Sequence, residues 1–252
     1  MKKTALLLSI SFLSIFPLLS HAETSKTLPI IEQQKQVAGY YQYQAGNVQI
    51  TALLDGTNFM SPTLFKDIPQ QQVHDILKKY YADQEKGVQT SVNAFLVNTG
   101  KSLVLVDSGA ASCFGAHLGS VLTNLKAALA PYQAKQRFKT YKLGDEIQSF
   151  KVISTAGHTP GHFSYALKTD SETVVFIGDI VHSHTVQFDR PKTAIEYDIN
   201  PQQAVQTRLK QFADFAKNGQ TIAAPHLPFP GIGHVYSADG KSYQWIPVHF
   251  KD

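Results

Sequence analysis

Three short apolar segments in the second half of the chain each end in a side chain that can bind a metal ion. The segments SFKVISTAGH, TVVFIGD and TIAAPH end at His158, Asp179 and His226. Apolar, β-branched runs of this length are typical of strands, and strands side by side in one sheet would place the three side chains at one rim. Two imidazoles and one carboxylate form a ligand set that catalytic zinc takes, with one position left open for water.

The first 22 residues have the composition of a secretory signal peptide. Two lysines precede an apolar stretch over residues 5–20, and the small-x-small sequence SHA stands immediately before Glu23. A membrane anchor is the alternative, but an apolar stretch that contains a proline and spans only 16 residues is short for a transmembrane helix. We therefore expect cleavage after Ala22, export to the periplasm and no membrane association of the mature chain.

Charge argues against nucleic acid as a partner. Without the two leader lysines, 21 basic residues stand against 19 acidic residues, a net charge of +2 with no basic run. Such a weak and scattered charge gives no reason to expect binding to nucleic acid or to anionic lipid. The expected partner is a small-molecule substrate, and the sequence does not indicate an oligomeric state.

Length and cysteine content bear on domain organisation and stability. The expected mature chain, residues 23–252, has 230 residues and shows no internal repeat, which favours a single domain. Cys113 is the only cysteine, so an internal disulfide is excluded. We expect Cys113 to be a small buried apolar residue, because no adjacent base marks it as a nucleophile or metal ligand.

The hydrophobic pattern predicts strands in runs with few helices. Residues 23–46 are polar and are expected to form an arm across the surface. Early strands are predicted at Asn47–Leu54, Ser91–Asn98 and Ser102–Asp107, the last two joined as a hairpin at Thr99-Gly100. Later strands are predicted to begin at Phe150, Phe163, Thr173 and Thr221.

Three amphipathic helices are predicted between these strands. The first follows Pro69 and carries an apolar stripe at Val73, Ile76, Leu77 and Tyr80. The second spans Leu118 to Leu129 and stops before Pro131. The third is capped by Asn200, has Pro201 at its first position, ends at Gly219 and presents Val205, Leu209, Phe212 and Ala216 on one face. This order favours an α+β fold in which helices cover the outside of the sheets.

Four segments, in order along the chain, carry a resemblance to a known family. VNAFLVNTGKSLVLVDSGA, TAGHTPGHFSYAL, VVFIGDIVH and APHLPFPGIGH resemble metallo-β-lactamase-fold hydrolases, specifically the secreted branch that includes methyl parathion hydrolase and lactonase-like enzymes. The resemblance implies a four-layer αββα sandwich with a metal site, expected to hold zinc, at one edge of its two sheets. It also implies that His158 binds a first metal, that Asp179 bridges two metals and that His226 binds the second.

The strongest signature of that family is missing. The family's H-x-H-x-D-H loop supplies four further ligands, and no such string occurs in this sequence. It should follow the helix after Asp107, yet residues 118–127 run directly into ALAPY at 128–132, which resembles a part that the family places further downstream. The sequence thus predicts an internal deletion near Ala127 and Ala128. We expect one zinc ion at most, where intact relatives bind two.

Other polar residues near the motifs are candidates for supporting roles. His162 is expected to orient the metal loop, His234 to line the pocket, and Asp107, by the resemblance, to hold the metal loop as a hydrogen-bond partner. His182 and His184 form an H-x-H on a predicted extended stretch, where both rings would face the same side. They are possible replacement ligands, but the family does not use the histidine that matches His182 as a ligand, so a structural or pocket-lining role is favoured.

The expected function is a periplasmic metal-dependent hydrolase. A bound metal would lower the pKa of its water to about 7, and Asp179 would bind the metal and orient that water. The substrate is expected to be a small ester, lactone or phosphotriester, among which the motifs do not choose. Serine chemistry is disfavoured, because neither G-x-S-x-G nor S-x-x-K occurs in the sequence. The alternative is a non-catalytic remnant or a binding protein on the same scaffold, which the missing loop favours.

Overall fold

Two β-sheets packed face to face form the centre of the fold, in a computed structural model that describes residues 39–129, except 112, 114 and 116, and residues 150–249. The first sheet has the order β1-β2-β4-β5, formed by Tyr40–Ala45, Val48–Met60, Val88–Asn98 and Leu103–Val106. The second has the order β12-β11-β10-β8-β7-β6, formed by Gln244–Pro247, Ile232–Tyr236, Thr221–Ala223, Thr173–Phe176, Phe163–Lys168 and Phe150–Ser154. A small sheet pairs β3 (Phe65–Lys66) with β9 (Ala194–Ile195).

The described residues contain four α-helices: α1 (Gln70–Lys79), α2 (Val121–Leu129), α3 (Val186–Asp189) and α4 (Pro201–Asn218). Within residues 39–129 and 150–249, none of these helices has the length and apolar character that a membrane span needs. The predicted signal peptide lies outside the described residues.

Three apolar clusters define the layers of the fold. Residues of both sheets, including Phe95 and Phe176, meet in the cluster between the sheets. On the outer side of the first sheet, Leu125 of α2 packs in one cluster with Leu53. On the outer side of the second sheet, Phe212 of α4 packs in another. The order helix, sheet, sheet, helix confirms the predicted α+β sandwich of four layers.

The helix limits follow the capping signals that the sequence contains. The side chain of Asn200 accepts a hydrogen bond from the N–H of Gln203, Pro201 is the first residue of α4, and Gly219 ends the helix at φ 62°. Helix α1 begins directly after Pro69, as predicted. The predicted hairpin is confirmed by the antiparallel pairing of β4 with β5, which Thr99 closes by donating from its N–H to the carbonyl of Ser102.

Several sequence predictions are wrong in detail. The predicted arm over residues 23–46 contains strand β1, which pairs with β2 from Tyr40 to Ala45. Alternation of buried and exposed side chains in that strand is short and falls next to a polar segment, which hides it in the sequence. Cys113 is exposed and not buried.

The buried face of α4 also differs from the predicted one. It is formed by Ala204, Arg208, Gln211, Phe212 and Phe215. Pattern analysis treats arginine as an outward residue, so it selected the stripe that runs through Val205 and Leu209, which are only partly buried. The face is rotated because Arg208 is fully buried and hydrogen-bonded to three backbone carbonyls.

The predicted deletion point lies inside a continuous helix. Ala127 and Ala128 belong to α2, which begins at Val121, three residues later than predicted. Ala128 is buried in the cluster beneath α2. Residues 130–149 lie outside the described residues, so the deletion stays a prediction from the sequence.

Sheet topology brings the three candidate ligands to one edge. β10 pairs in parallel with β8, and β6 and β8 are both antiparallel to β7, which lies between them. The carboxyl ends of β6, β8 and β10 therefore share one edge of the second sheet. The loops that begin there carry His158, Asp179 and His226.

Candidate metal centre

The carboxylate of Asp179 lies between the rings of His158 and His226. Its Oδ2 is 3.1 Å from Nε2 of His158, and its Oδ1 is 3.3 Å from Nε2 of His226. Two ligand atoms bound to one tetrahedral zinc at about 2.1 Å lie about 3.4 Å apart. The spacing of these atoms therefore fits a metal site, and the sequence prediction that the three side chains converge agrees with the structure.

Each of these side chains is held from behind by another group. Nδ1 of His226 donates to the carbonyl oxygen of Ser91 at 3.1 Å, which leaves Nε2 to face Asp179. Nε2 of His162 accepts the backbone N–H of Asp179 at 2.9 Å. Nδ1 of His162 is therefore the protonated nitrogen, and it lies 3.1 Å from the carbonyl oxygen of Thr155. These bonds fix the backbone at Asp179 and the orientation of the His226 imidazole.

His158 is held by a buried carboxylate that sequence analysis did not identify. Oδ1 of Asp198 lies 3.1 Å from Nδ1 of His158, and its Oδ2 accepts the N–H of Ile195 at 3.2 Å. Nη2 of Arg208 is 3.9 Å from the same Oδ2. A carboxylate behind a histidine is a common support in metal sites, because it fixes the ring and raises its basicity. Asp198 lies in no motif, so only the fold reveals it.

The charges of this group are strongly coupled. Burial disfavours charge on His158, but hydrogen bonds to Asp179 and Asp198 outweigh burial and raise its pKa to about 9. Burial also opposes the charge of Asp179, yet bonds from His158 and His226 hold its pKa well below the usual value. In the metal-free protein the site thus pairs a carboxylate with protonated imidazole, and a metal cation would take the place of protons.

A fourth side chain, His182, lies against this group. Its ring stacks on that of His226 at 5.0 Å between centroids and lies 5.0 Å from the ring of His158. Ring nitrogens of His158 and His182 and an oxygen of Asp179 lie within 4.8 Å of one another. Burial and the charge of His226 hold the pKa of His182 well below the usual value, so its ring is neutral.

A cavity of about 390 Å³ opens on these residues. Its wall includes His158, Asp179, His182 and His226 together with the side chain of Tyr197, which is 42% exposed. Met60, Val92, Ala110 and Leu118 add apolar groups to the wall, and Asn58, Thr90 and Asp107 add polar ones. A cavity that combines apolar surface with a few convergent polar groups is typical of a small-molecule site.

A solved structure with high sequence identity decides the family. The crystal structure of the hydrolase AbOPH in the β-lactamase superfamily is 66% identical in sequence, with a TM-score of 0.79, and the match covers 86% of this chain and 100% of that chain. This chain belongs to the β-lactamase superfamily and has the metallo-β-lactamase fold.

Two solved structures of lower sequence identity share the fold. AidC, a dizinc quorum-quenching lactonase in complex with a product, is 18% identical with a TM-score of 0.75, and the match covers 86% of this chain and 100% of that chain. A probable metal-dependent hydrolase from Staphylococcus aureus is 15% identical with a TM-score of 0.58, over 83% of this chain and 100% of that one. No family model matches the chain, and no curated protein matches it.

In this member of the superfamily Asp107 lies on the wall of the cavity. Its Oδ1 accepts the N–H groups of Ser108 and Gly109 at 2.6 and 2.9 Å, so the carboxylate bonds to its own turn. Removal from water and the negative charge of Asp179 raise the pKa of Asp107. By the resemblance, Asp107 is expected to hold the metal loop by hydrogen bonding. The family's H-x-H-x-D-H loop does not occur in this sequence, so Asp107 cannot hold it here.

The remaining histidines take different positions from one another. His234 pairs with Thr221 across β10 and β11, at the end of β10 opposite to His226, and it is not part of the cavity wall. The prediction that His182 and His184 face the same side is wrong. Gly178–Ile180 form a 3₁₀ turn, and the residues after it form bends and turns and not a strand. The ring of His184 therefore contacts Tyr80 and Trp245, away from the ring of His182.

Proposed function

We propose that the mature chain is an exported, periplasmic zinc hydrolase that acts on a small neutral ester, lactone or phosphotriester. The observation that carries the proposal is the Asp179 carboxylate between His158 and His226, at spacings that suit one metal ion. This group opens on a cavity whose size and apolar wall suit a small uncharged substrate.

The proposed reaction assigns separate roles to the metal ligands and to the residues that position them. His158, Asp179 and His226 would hold the ion. Bound there, zinc supplies a water of lowered pKa and polarises the substrate oxygen. Asp179 would also help to orient that water. Asp198 and His162 keep His158 and Asp179 in place while they do so.

The cavity wall would bind and orient the substrate. Met60, Val92 and Leu118 offer apolar surface to the acyl or alkyl part and exclude water from it. The phenol of Tyr197 stands on the same wall, and burial together with the charge of Glu196 raises its pKa. Tyr197 therefore keeps its proton at neutral pH and can donate a hydrogen bond to a substrate oxygen.

One observation favours the second candidate, a non-catalytic remnant or binding protein. The sequence lacks H-x-H-x-D-H, the loop that the resemblance implies would supply four further ligands. A remnant would keep the cavity and lose the reaction.

The test is zinc content and turnover of the mature protein, measured on a panel of esters, lactones and phosphotriesters with and without a chelator. We expect chelator-sensitive turnover that His158→Ala abolishes and that His74→Ala, a change on α1, leaves intact. Turnover that is absent for every substrate, with zinc bound, would favour the binding protein. Turnover that survives both the chelator and His158→Ala would contradict a metal mechanism.

Export is tested separately. The mature chain is expected to begin at Glu23, because the leader ends in a small-x-small site. An intact N-terminus, found by mass spectrometry of a periplasmic extract, would contradict cleavage.

A further inference from the structure

A buried histidine nitrogen without a partner lies at the edge of the candidate metal centre. Nδ1 of His182 is buried and has no hydrogen-bond partner among residues 39–129 and 150–249. Nearly all buried polar side-chain atoms in folded proteins are hydrogen-bonded, so an exception usually marks a missing ion, a missing water or a reactive group. The backbone of His182 is fixed here, because its N–H donates to Oε1 of Gln187 at 2.7 Å.

We propose that His182 is a metal ligand in this chain, joining His158 and Asp179 around a single zinc ion, while His226 supports Asp179 through its other carboxylate oxygen. The inference rests on the metal-binding part of the proposed function and assigns a ligand that the three strand-end motifs do not contain. Each of the three residues offers one ligand atom, and these atoms lie within 4.8 Å of one another. With His226 bonded to the other oxygen of Asp179, the group contains three imidazoles and one carboxylate.

The surroundings of His182 suit a ligand better than a packing residue. The ring is packed between two other imidazoles, and only 4% of the residue is exposed. A packing role alone would be met by phenylalanine or leucine without an unpaired nitrogen. Its backbone carbonyl accepts a hydrogen bond from Thr90 at 3.0 Å, which ties the segment to the first sheet.

Without the H-x-H-x-D-H loop, a zinc site in this chain needs a ligand from elsewhere in the sequence. Catalytic zinc usually has three protein ligands and one open position. The two strand-end histidines bond to different oxygens of Asp179, so a single ion centred on the His158 side gains a close third ligand from His182. The nitrogen of His182 thus fills a place that H-x-H-x-D-H would otherwise supply.

The test compares His182→Phe with His184→Phe in the mature chain. Phenylalanine keeps an aromatic ring and removes both nitrogens, and His184 is the matched control because it lies two residues away in the same H-x-H but contacts Tyr80 and Trp245. Zinc affinity is measured by competition with a chelating dye, and folding is checked by thermal melting. We expect His182→Phe to weaken zinc binding by at least about 100-fold, more than the loss of a ligand's supporting partner, and His184→Phe by less than threefold.

A direct readout covers the case in which His182→Phe does not fold. In wild-type protein with ¹⁵N-labelled histidine, zinc should shift one ring nitrogen in each of two imidazoles, those of His158 and His182, and His182→Gln should remove one of these shifted signals. Wild-type zinc affinity in His182→Phe, or a shifted signal that His182→Gln does not remove, would overturn the assignment. Failure of wild-type protein to bind zinc would instead contradict the proposed function as well. The two failures are thus distinguishable.

Discussion

The two walls of the cavity differ in how their side chains are held. On the wall from residues 150–249, each candidate ligand has a second partner: Asp198 behind His158 and His162 behind the backbone of Asp179. On the wall from the first sheet, the loop after β5 is held mainly through its backbone. The buried carboxylate of Asp55 accepts N–H bonds from Ala110, Gly119 and Val121.

This difference shows what the chain keeps and what it lacks. We call the side of the cavity formed by residues 150–249 the ligand wall and the side formed by the first sheet and the loop after β5 the loop wall. The groups that hold the candidate ligands of the ligand wall lie within residues 155–198 or at the carbonyl of Ser91. None of these groups is next to the predicted deletion point at Ala127. On the loop wall, Asp107 lies at the cavity, but its carboxylate accepts hydrogen bonds from the backbone of its own turn. The bonds that support His158 and Asp179 would therefore be unaffected by the predicted deletion.

The largest expected effect contrasts single substitutions on the two walls. His158→Ala removes a ligand, so we expect zinc affinity to fall by at least about 1,000-fold, or about 4 kcal/mol. Asp107→Ala, on the loop wall, should change zinc affinity by less than about fivefold, or 1 kcal/mol. Isothermal titration with zinc measures the affinity of both variants. Similar losses of zinc affinity in His158→Ala and Asp107→Ala would show that the two walls do not differ in metal binding.

The supports of the ligand wall should matter next most. Asp198→Asn keeps the size of the side chain but removes the charge behind His158, and such changes typically cost 10–100-fold in metal affinity. Asp239→Asn is the matched control, since Asp239 lies in a surface turn and bonds only within it. Equal zinc affinity in Asp198→Asn and Asp239→Asn would show that the charge of Asp198 does not help His158 to bind zinc.

Restoring ligands to the loop wall should raise activity. We expect a graft of an H-x-H-x-D-H segment at Ala127 to increase zinc-dependent ester or lactone turnover by at least tenfold, about 1.4 kcal/mol in barrier. The grafted chain should also melt at a higher temperature with zinc present, because added packing surface contributes about 25 cal/mol per Å² buried. Equal chelator-sensitive turnover in both chains would show that the missing loop is not a lesion.

The smallest expected effect is a change of stability with pH in the metal-free protein. The pKa of His158 is raised from 6.5 to about 9 in the folded chain. Its stabilising contribution is therefore complete below pH 6.5 and is lost as pH rises through 9. Melting temperature with chelator should fall by a few degrees over that interval, at roughly 2–4 °C per kcal/mol for a chain of this size.

His158→Gln is the control for that pH dependence. The variant has no group to titrate at this position, so its melting temperature should change less between pH 6.5 and 9. Zinc affinity of the wild type should move in the opposite direction and rise with pH, because the metal needs the deprotonated ring. A metal-free melting temperature that rises with pH would contradict the assigned charges.

The fold was more predictable from the sequence than the environment of the site. Local signals determine helix ends, so Asn200, Pro201 and Gly219 predicted α4 correctly. Its buried face depends on Arg208, whose guanidinium binds carbonyls of residues far from the helix in sequence. A hydrophobic pattern carries no information about such partners.

The same limit applies to the candidate ligands. His158, Asp179 and His226 follow strands, and strand order alone brings them together. Asp198 lies 40 residues beyond His158 in an irregular segment, so no spacing rule joins them. The sequence predicts an extended stretch at His182, but a 3₁₀ turn over Gly178–Ile180 and irregular backbone after it give the rings of His182 and His184 different neighbours.

The proposed function requires that this chain binds one metal ion on one wall of the cavity. The number of zinc ions per mature chain after dialysis tests this directly, and it is measured by inductively coupled plasma mass spectrometry against protein concentration from amino-acid analysis. We expect one ion in the wild type and none in His158→Ala. Two firmly bound ions per chain, or one ion that survives His158→Ala, would contradict it.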